Sequence, residues 1–154
     1  MRENIGIFRG KRIDNGEWVE GTPFFACGCC KMITAMAVHP EFVDEGNVYY
    51  AEGYPVDPDT VGECTGLKDK NGKLIFEGDI LSIKYELDHI EAEPVYSWFE
   101  TAEVVFSKEK LAWFVVFEDN GEMLYLNEFV GEEDFIEVAT TIHYNPELLE
   151  GGEQ

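Results

Sequence analysis

The chain has 154 residues, and its 11 basic and 32 acidic residues give a formal net charge of −21. This charge repels phosphate backbones and anionic membrane surfaces, so direct binding to nucleic acid or to a membrane is disfavoured. No apolar run reaches the ~18 residues of a membrane-spanning helix, and the N-terminus lacks an apolar leader segment. We therefore expect a cytoplasmic protein.

Three Asn-Gly pairs lie between apolar or β-prone stretches, at Asn15-Gly16, Asn71-Gly72 and Asn120-Gly121. Asn-Gly favours a two-residue type I′ turn, because both central residues of that turn need positive φ. The first pair is predicted to join strands at Ile5–Ile13 and Trp18–Ala26. The third is predicted to join Ala112–Glu118 to Glu122–Phe129. The pattern indicates three β-hairpins.

Further strands are predicted at Ala102–Ser107 and Ile136–His143. Ala112–Phe117 is continuously apolar, which indicates a strand buried on both faces. Glu86–Glu100 has weak periodicity and is predicted to be a loop between two strands. Helical pattern is scarce throughout.

The composition changes near residue 55. We predict an N-terminal β segment over residues 1–55, a β-barrel core over 56–149 and a disordered tail over 150–154. The predicted fold is mainly β, with a small SH3-like barrel, additional N-terminal strands and little helix.

The stretch Val56–Ile80 is dense in residues that favour turns. Glycine permits positive φ, and Asp and Asn side chains accept hydrogen bonds from nearby backbone N–H groups. The residues interpreted as fold-determining turn positions are Gly66, Asp69, Asn71, Gly72, Gly78 and Asp79.

Three blocks of the chain resemble the YopX family, small proteins of bacteriophages and prophages. The first block combines Phe8–Arg12 with Asn15–Gly21, and the second is Val56–Ile80. The third comprises Ala102–Phe106, Trp113–Phe117 and Ile142–Leu149. The resemblance implies a mainly β fold with an SH3-like barrel, homo-oligomerisation, a phage or prophage origin and a bacterial cytoplasmic setting. It supplies no catalytic residues. The Cys27–Cys30 segment and the Glu86–Glu100 insertion depart from the family pattern.

The cysteine cluster is the sharpest candidate for chemistry. Cys27, Cys29 and Cys30 are weak candidates for zinc ligands, with Cys64, His39 or His143 completing the set. A structural zinc site usually has two paired ligand clusters, and here only one cluster exists. Free thiols in a reducing compartment are the simpler interpretation, and no cofactor is predicted.

Adjacent aromatic pairs are the candidate interaction residues. On a strand, one member of each pair points away from the core. An outward aromatic side chain on an acidic protein favours a contact with another protein or another subunit. The candidates are Tyr49, Tyr50, Trp98 and Phe99.

No catalytic spacing or phosphate-binding loop occurs in the sequence. The leading hypothesis is a non-enzymatic protein-interaction module that forms a homo-oligomer. A basic host or phage protein is its other expected partner. One alternative is an acidic DNA mimic that inhibits a host nucleic-acid-binding protein. A second is a metal- or thiol-dependent protein that uses the Cys27–Cys30 cluster.

Overall fold

The computed structural model of the protein describes residues 6–38, 49–87 and 96–143. The described residues are mainly β, as predicted, with 63% of them in strands and almost no helix. The strands are β1 (Phe8–Lys11), β2 (Trp18–Ala26), β3 (Cys29–Val38), β4 (Tyr49–Pro55), β5 (Gly62–Lys68), β6 (Leu74–Phe76), β7 (Asp79–Leu87), β8 (Tyr96–Ser107), β9 (Ala112–Phe117), β10 (Met123–Tyr125) and β11 (Ile136–Thr141). Short 3-10 turns form η1 (Pro58–Thr60), η2 (Leu126–Phe129) and η3 (Glu133–Phe135). Within these described ranges, no helix has the length and apolar character needed to cross a membrane.

The chain divides into two compact units, Met1–Cys64 and Thr65–Gln154. In the first unit the strands are hydrogen-bonded in the order β4-β3-β2-β1-β5. Strand β5 continues into the second unit, where β6 pairs with it. The second unit also contains a five-stranded antiparallel sheet in the order β10-β9-β8-β7-β11.

The expected closed SH3-like barrel is not present among the described strands, which form two open sheets. Closing a barrel requires the two edge strands to pair with each other. In the second unit those edges are β10 and β11, and they do not pair. The chain passes between them through η2 and η3 instead of adding a strand. The barrel prediction is therefore corrected to an open, mainly β architecture.

All three Asn-Gly hairpins form, but their turns are not the predicted type I′. Gly16, Gly72 and Gly121 have φ of 72°, 76° and 70°, whereas the described non-glycine residues with positive φ are Cys27 and Leu111. At the second hairpin, the Asp69 N–H donates to the Lys73 carbonyl oxygen (2.9 Å) and the Gly72 N–H to the Asp69 carbonyl oxygen (3.0 Å). Longer loops of this kind need positive φ at the glycine alone.

The predicted Glu86–Glu100 loop is wrong at both ends. Strand β7 continues to Leu87 and β8 begins at Tyr96, with continuous pairing from Leu87↔Tyr96 to Ile80↔Glu103. Cross-strand contacts such as the stacked Tyr85 and Trp98 rings, 5.4 Å apart, stabilise this pairing. The sequence between the two strands lies outside the described residues.

Each unit has its own hydrophobic core. The first is built around Cys30, Ile33 and Val56, and β2 lies close to β3 there because Gly21 has no side chain. A Cβ at Gly21 would lie 2.0 Å from the Thr34 carbonyl oxygen. The larger core of the second unit consists of Ile75, Leu81, Ile83, Ala102, Val104, Val115, Phe117, Leu126 and Ile136.

The predicted two-sided burial of Ala112–Phe117 is observed at its centre. Val115 and Phe117 belong to the core of the second unit. Phe114 is also buried, and its ring centroid lies 4.4 Å from that of Tyr125. Strand β9 therefore has apolar contacts on both faces.

Candidate functional site

An open groove of about 420 Å³ lies in the second unit beside the later part of β7. This volume falls within the range of ~300–1,000 Å³ that is usual for ligand pockets. It is lined by the apolar residues Ile83, Tyr85, Leu124, Phe129 and Phe135, which we call the floor, and by the charged residues Lys84, Glu86, Glu128 and Glu132, which we call the rim. We call this site the acidic groove.

The acidic groove is an extension of the core. Alternation along β7 places Leu81, Ile83 and Tyr85 on one face, and the first two are buried. Buried Leu126 anchors η2, the turn that contains Glu128 and Phe129. Each of these elements contributes a partly exposed side chain where the covered part of the core ends.

The rim carries net negative charge. Lys84 forms an ion pair with Glu86 on its own strand. Glu128 and Glu132, both exposed, supply the remaining charges of the rim. The groove therefore attracts cationic groups at its edge while offering apolar contacts on its floor.

Tyr85 marks the boundary between the core and the groove. Partial burial, followed by the nearby carboxylates of Glu100 and Glu122, raises the pKa of the Tyr85 phenol above its usual range. The hydroxyl, neutral at pH 7 like any phenol, stays protonated to higher pH than an unperturbed tyrosine and can act as a hydrogen-bond donor or acceptor.

Beyond Tyr85, the two paired strands extend as an arm with exposed apolar side chains. We call residues Tyr85–Leu87 and Tyr96–Phe99 the aromatic arm. On the face shared with Tyr85, the exposed fractions are 52% for Leu87, 57% for Tyr96 and 40% for Trp98. Phe99 lies on the opposite face and is 63% exposed. Exposed apolar side chains clustered beside a groove are typical of a protein-contact surface.

A model of the family described as YopX protein matches residues 8–150 of the chain. The chain belongs to the YopX family. No curated protein matches the sequence. Among solved structures, the YopX chain is similar to the crystal structure of protein EF1440 from Enterococcus faecalis, with a TM-score of 0.52 and 24% sequence identity. The alignment covers 94% of this chain and 99% of that chain. At this identity the likeness shows the fold alone.

The turn residues singled out in the YopX chain support the backbone. The buried carboxylate of Asp69 accepts hydrogen bonds from the N–H groups of Asn71 (2.9 Å) and Lys73 (3.0 Å) in its own turn. Its second oxygen accepts from the Val138 N–H of β11 (2.9 Å). Asp69 therefore joins the β5–β6 hairpin, with Gly72 at its tip, to the edge of the five-stranded sheet.

The corner at Gly78-Asp79 has a similar role. Gly78 has φ of 86°, and its N–H donates to the Val104 carbonyl oxygen (2.9 Å). The carbonyl oxygen of Gly78 accepts from the Ile142 N–H (2.9 Å), and the Asp79 carboxylate accepts from the Phe76 N–H (2.8 Å). Gly66, in β5, also has positive φ, at 84°. These positions hold strands together and do not line the acidic groove.

The four cysteines differ in burial. Cys27 is exposed in the β2–β3 turn, and Cys29 is partly exposed at the start of β3. Cys30 is buried with its Sγ 3.4 Å from the Met32 carbonyl oxygen, and Cys64 is buried in β5. In the described part of the chain, no three His, Cys, Asp or Glu side chains are grouped so that they could hold a metal ion. His39 lies outside the described residues.

The structure describes the side chains of two of the four aromatic residues that were predicted to contact a partner. Both Trp98 and Phe99 are exposed, to 40% and 63%, and Trp98 stacks on Tyr85 of the paired strand. Tyr49 and Tyr50 pair with Val38 and Ala37, and their side chains lie outside what the structure describes.

Sequence reasoning missed the floor of the groove and its acidic rim. Leu124, Phe129 and Phe135 are far from β7 in sequence and meet it only through the path of η2 and η3. Glu128 and Glu132 have no distinguishing pattern in a chain with 32 acidic residues. Leu124 and Glu128 are four residues apart, a spacing that would place them on one face of an α-helix. This segment is instead a strand followed by a 3-10 turn, so the spacing did not indicate that they share a groove.

Proposed function

We propose that this YopX-family protein is a non-enzymatic interaction module that binds other proteins through the acidic groove and the aromatic arm. The supporting observation is the exposed set of Leu87, Tyr96 and Trp98 beside a groove with a net acidic rim. Binding hot spots are enriched in aromatic side chains next to partly enclosed pockets. The family resemblance supports action in the cytoplasm of a bacterium that carries the phage or prophage.

The groove defines the chemistry of its partner. The floor of Leu124, Phe129 and Phe135 suits an aliphatic or aromatic anchor residue. Glu128 and Glu132 suit Lys or Arg beside that anchor. We therefore expect the bound segment to combine an apolar side chain with flanking basic residues, because charge complementarity raises both specificity and association rate.

The test is affinity capture from bacterial lysate, treated with nuclease, by the tagged protein and by two variants of equal charge change. The groove variant is Glu128→Gln with Glu132→Gln. The control is Glu20→Gln with Asp59→Asn, which removes two exposed carboxylates from the first unit. We expect at least tenfold lower recovery of the captured protein by the groove variant and unchanged recovery by the control.

Equal recovery by all three proteins would contradict a role for the groove. Capture of a DNA-processing protein that is equally reduced in both variants and falls steeply with salt would favour DNA mimicry instead, because diffuse acidity would then be recognised.

A further inference from the structure

A second cavity, of about 360 Å³, lies in the second unit where strands β9 and β10 separate. Their ladder ends at the Tyr125↔Phe114 pair, because the chain enters η2 instead of continuing beside β9. The next residues on the two sides, Ala112-Trp113 and Leu126-Asn127, therefore line a gap. We call this gap the β9–β10 cavity.

The wall of the β9–β10 cavity is mainly apolar. Leu126 belongs to the core of the second unit, and Leu67 and Trp113 pack against that core. None of the described lining residues is charged. Since an apolar cavity of ~150 Å³ already binds benzene, this cavity has room for about two fused rings.

Polar groups at the wall can orient a ligand. The Thr65 hydroxyl is already engaged, since it donates to the Ile75 carbonyl oxygen (2.9 Å) and accepts from the Leu67 N–H (3.2 Å). The Tyr125 hydroxyl and the Asn127 amide belong to exposed side chains that line the cavity. A few polar groups around an apolar cavity are typical of sites that bind small molecules.

The ammonium group of Lys110 lies at one edge of the cavity. It is 5.8 Å from the ring centroid of Tyr125, which lines the cavity, and 5.3 Å from that of Phe114. These cation–π contacts, together with the hydrogen bond from the Lys110 N–H to the Ser107 hydroxyl oxygen (3.2 Å), hold the residue in place. Lys110 takes part in none of the ion pairs within the described ranges, so its charge remains available to an anion.

The charge beside this cavity is opposite to that at the acidic groove. Both spaces are bounded by η2, which contributes Glu128 to the groove and Asn127 to the cavity. Lys108 and Glu109, which precede Lys110 in the turn, are also exposed, and their charges cancel. The net charge of −21 disfavours anions at long range. Mobile ions screen that field over about 8 Å at physiological ionic strength, so a nearby ammonium group outweighs distant carboxylates.

The geometry points to a binding site for a small amphipathic anion, with a flat apolar body of about two fused rings and one carboxylate or sulfonate group. The body occupies the β9–β10 cavity between Trp113 and Leu126, and the anionic group pairs with the Lys110 ammonium. Burial of the apolar body supplies most of the affinity, while the charge selects anions. This site goes beyond the proposed function, because the acidic groove has no part in it.

The test is isothermal titration calorimetry of the full-length protein with three naphthalene compounds that differ in charge. The naphthoate anion should bind with one molecule per chain. Neutral naphthalenemethanol, which has the same rings, should bind weaker by roughly tenfold or more, the usual loss for a charge-assisted contact. Naphthylmethylamine, which is cationic at neutral pH, should bind weakest.

A matched pair of lysine variants tests the charge. Lys110→Met removes the ammonium group beside the cavity and should weaken naphthoate binding roughly tenfold, while naphthalenemethanol binding stays unchanged. Lys108→Met makes the same change two residues away in the same exposed turn. It should alter naphthoate binding by less than about twofold, because solvent screens the more distant charge.

A second matched pair tests the cavity itself. Val130 lines the cavity and is 56% exposed, so Val130→Trp can fill the space without replacing a core residue. It should abolish the binding of both naphthoate and naphthalenemethanol. Ile13→Trp, at a 68% exposed position in the first unit, is the control and should bind both compounds normally. Melting temperatures equal to that of the wild-type protein would separate blocking from misfolding.

The indole N–H resonances of the three tryptophans locate the bound compound by nuclear magnetic resonance. Single Trp→Phe variants assign them. Naphthoate should shift the Trp113 resonance and leave unchanged those of Trp18, in the first unit, and Trp98, in the aromatic arm. This measurement uses the wild-type cavity, so it decides the location even if Val130→Trp protein does not fold.

The site would be overturned by the absence of saturable naphthoate binding at millimolar concentration, or by naphthalenemethanol binding as tightly as naphthoate. Normal binding by folded Val130→Trp protein, or shifts at Trp98 instead of Trp113, would also overturn it. None of these results affects lysate capture by the acidic groove, so a failure here is distinguishable from a failure of the proposed function.

Discussion

Strands β7 and β8 show the same sheet face in two environments. In the inner half, Leu81 and Ile83 are buried beneath β6 and the 3-10 turns. In the outer half, Leu87 lies on the same strand and face but is 52% exposed. Tyr96, which pairs with Leu87 across the two strands, is 57% exposed. Residue type and alternation are alike in both halves, and only the covering elements differ. Apolar residues in the inner half therefore stabilise the fold, while Leu87 and Tyr96 in the outer half remain exposed.

The sharpest test of this comparison is a matched pair of leucine truncations. Leu81→Ala creates a cavity in a closed core and should reduce the free energy of unfolding by about 2–5 kcal/mol. Leu87→Ala removes the same atoms from an exposed site and should change it by less than about 0.5 kcal/mol. Urea denaturation followed by circular dichroism measures both. Similar losses for the two variants would show that the arm is covered within the monomer.

A smaller effect is expected from the turn between β5 and β6, which is hydrogen-bonded to β11. Asp69→Asn replaces one carboxylate oxygen with an N–H donor, so one of the backbone N–H groups of Asn71, Lys73 or Val138 loses its acceptor. An unsatisfied buried donor costs about 1–3 kcal/mol. Exposed Asp119→Asn, in another hairpin turn, is the control and should be neutral in the same denaturation assay. Equal stability of the two variants would contradict a structural role for Asp69.

The smallest expected effect lies at Tyr85, between the two halves. Its pKa is raised by burial and then by Glu100 and Glu122, so the folded state favours the neutral phenol. This stabilisation is complete below the unfolded pKa of about 10 and is lost as pH rises from there through the folded pKa. Tyr85→Phe should therefore lose less stability than wild type above about pH 10, with little difference near pH 8. Parallel pH profiles from urea midpoints would refute this prediction.

Local chemistry made much of the fold predictable. Each Asn-Gly pair marks a hairpin, and Val56–Ile80 contains the Asp and Gly residues that its turns require. The turn type was wrong because longer loops also satisfy the backbone while requiring positive φ at glycine alone. The Glu86–Glu100 loop was wrong because strand pairing depends on a partner strand, which periodicity within one segment does not reveal.

The sequence alone determined a mainly β chain, its hairpin positions, its strong negative charge and its membership of the YopX family. These follow from local backbone preferences, from composition and from motifs that lie along the chain. Tertiary structure decided that the sheets stay open and that Leu124, Phe129 and Phe135 meet β7 to form the acidic groove. It also decided that Leu81 is buried while Leu87 is exposed. The physical reason is that burial depends on which distant elements cover a surface, and residue type and spacing do not specify that arrangement.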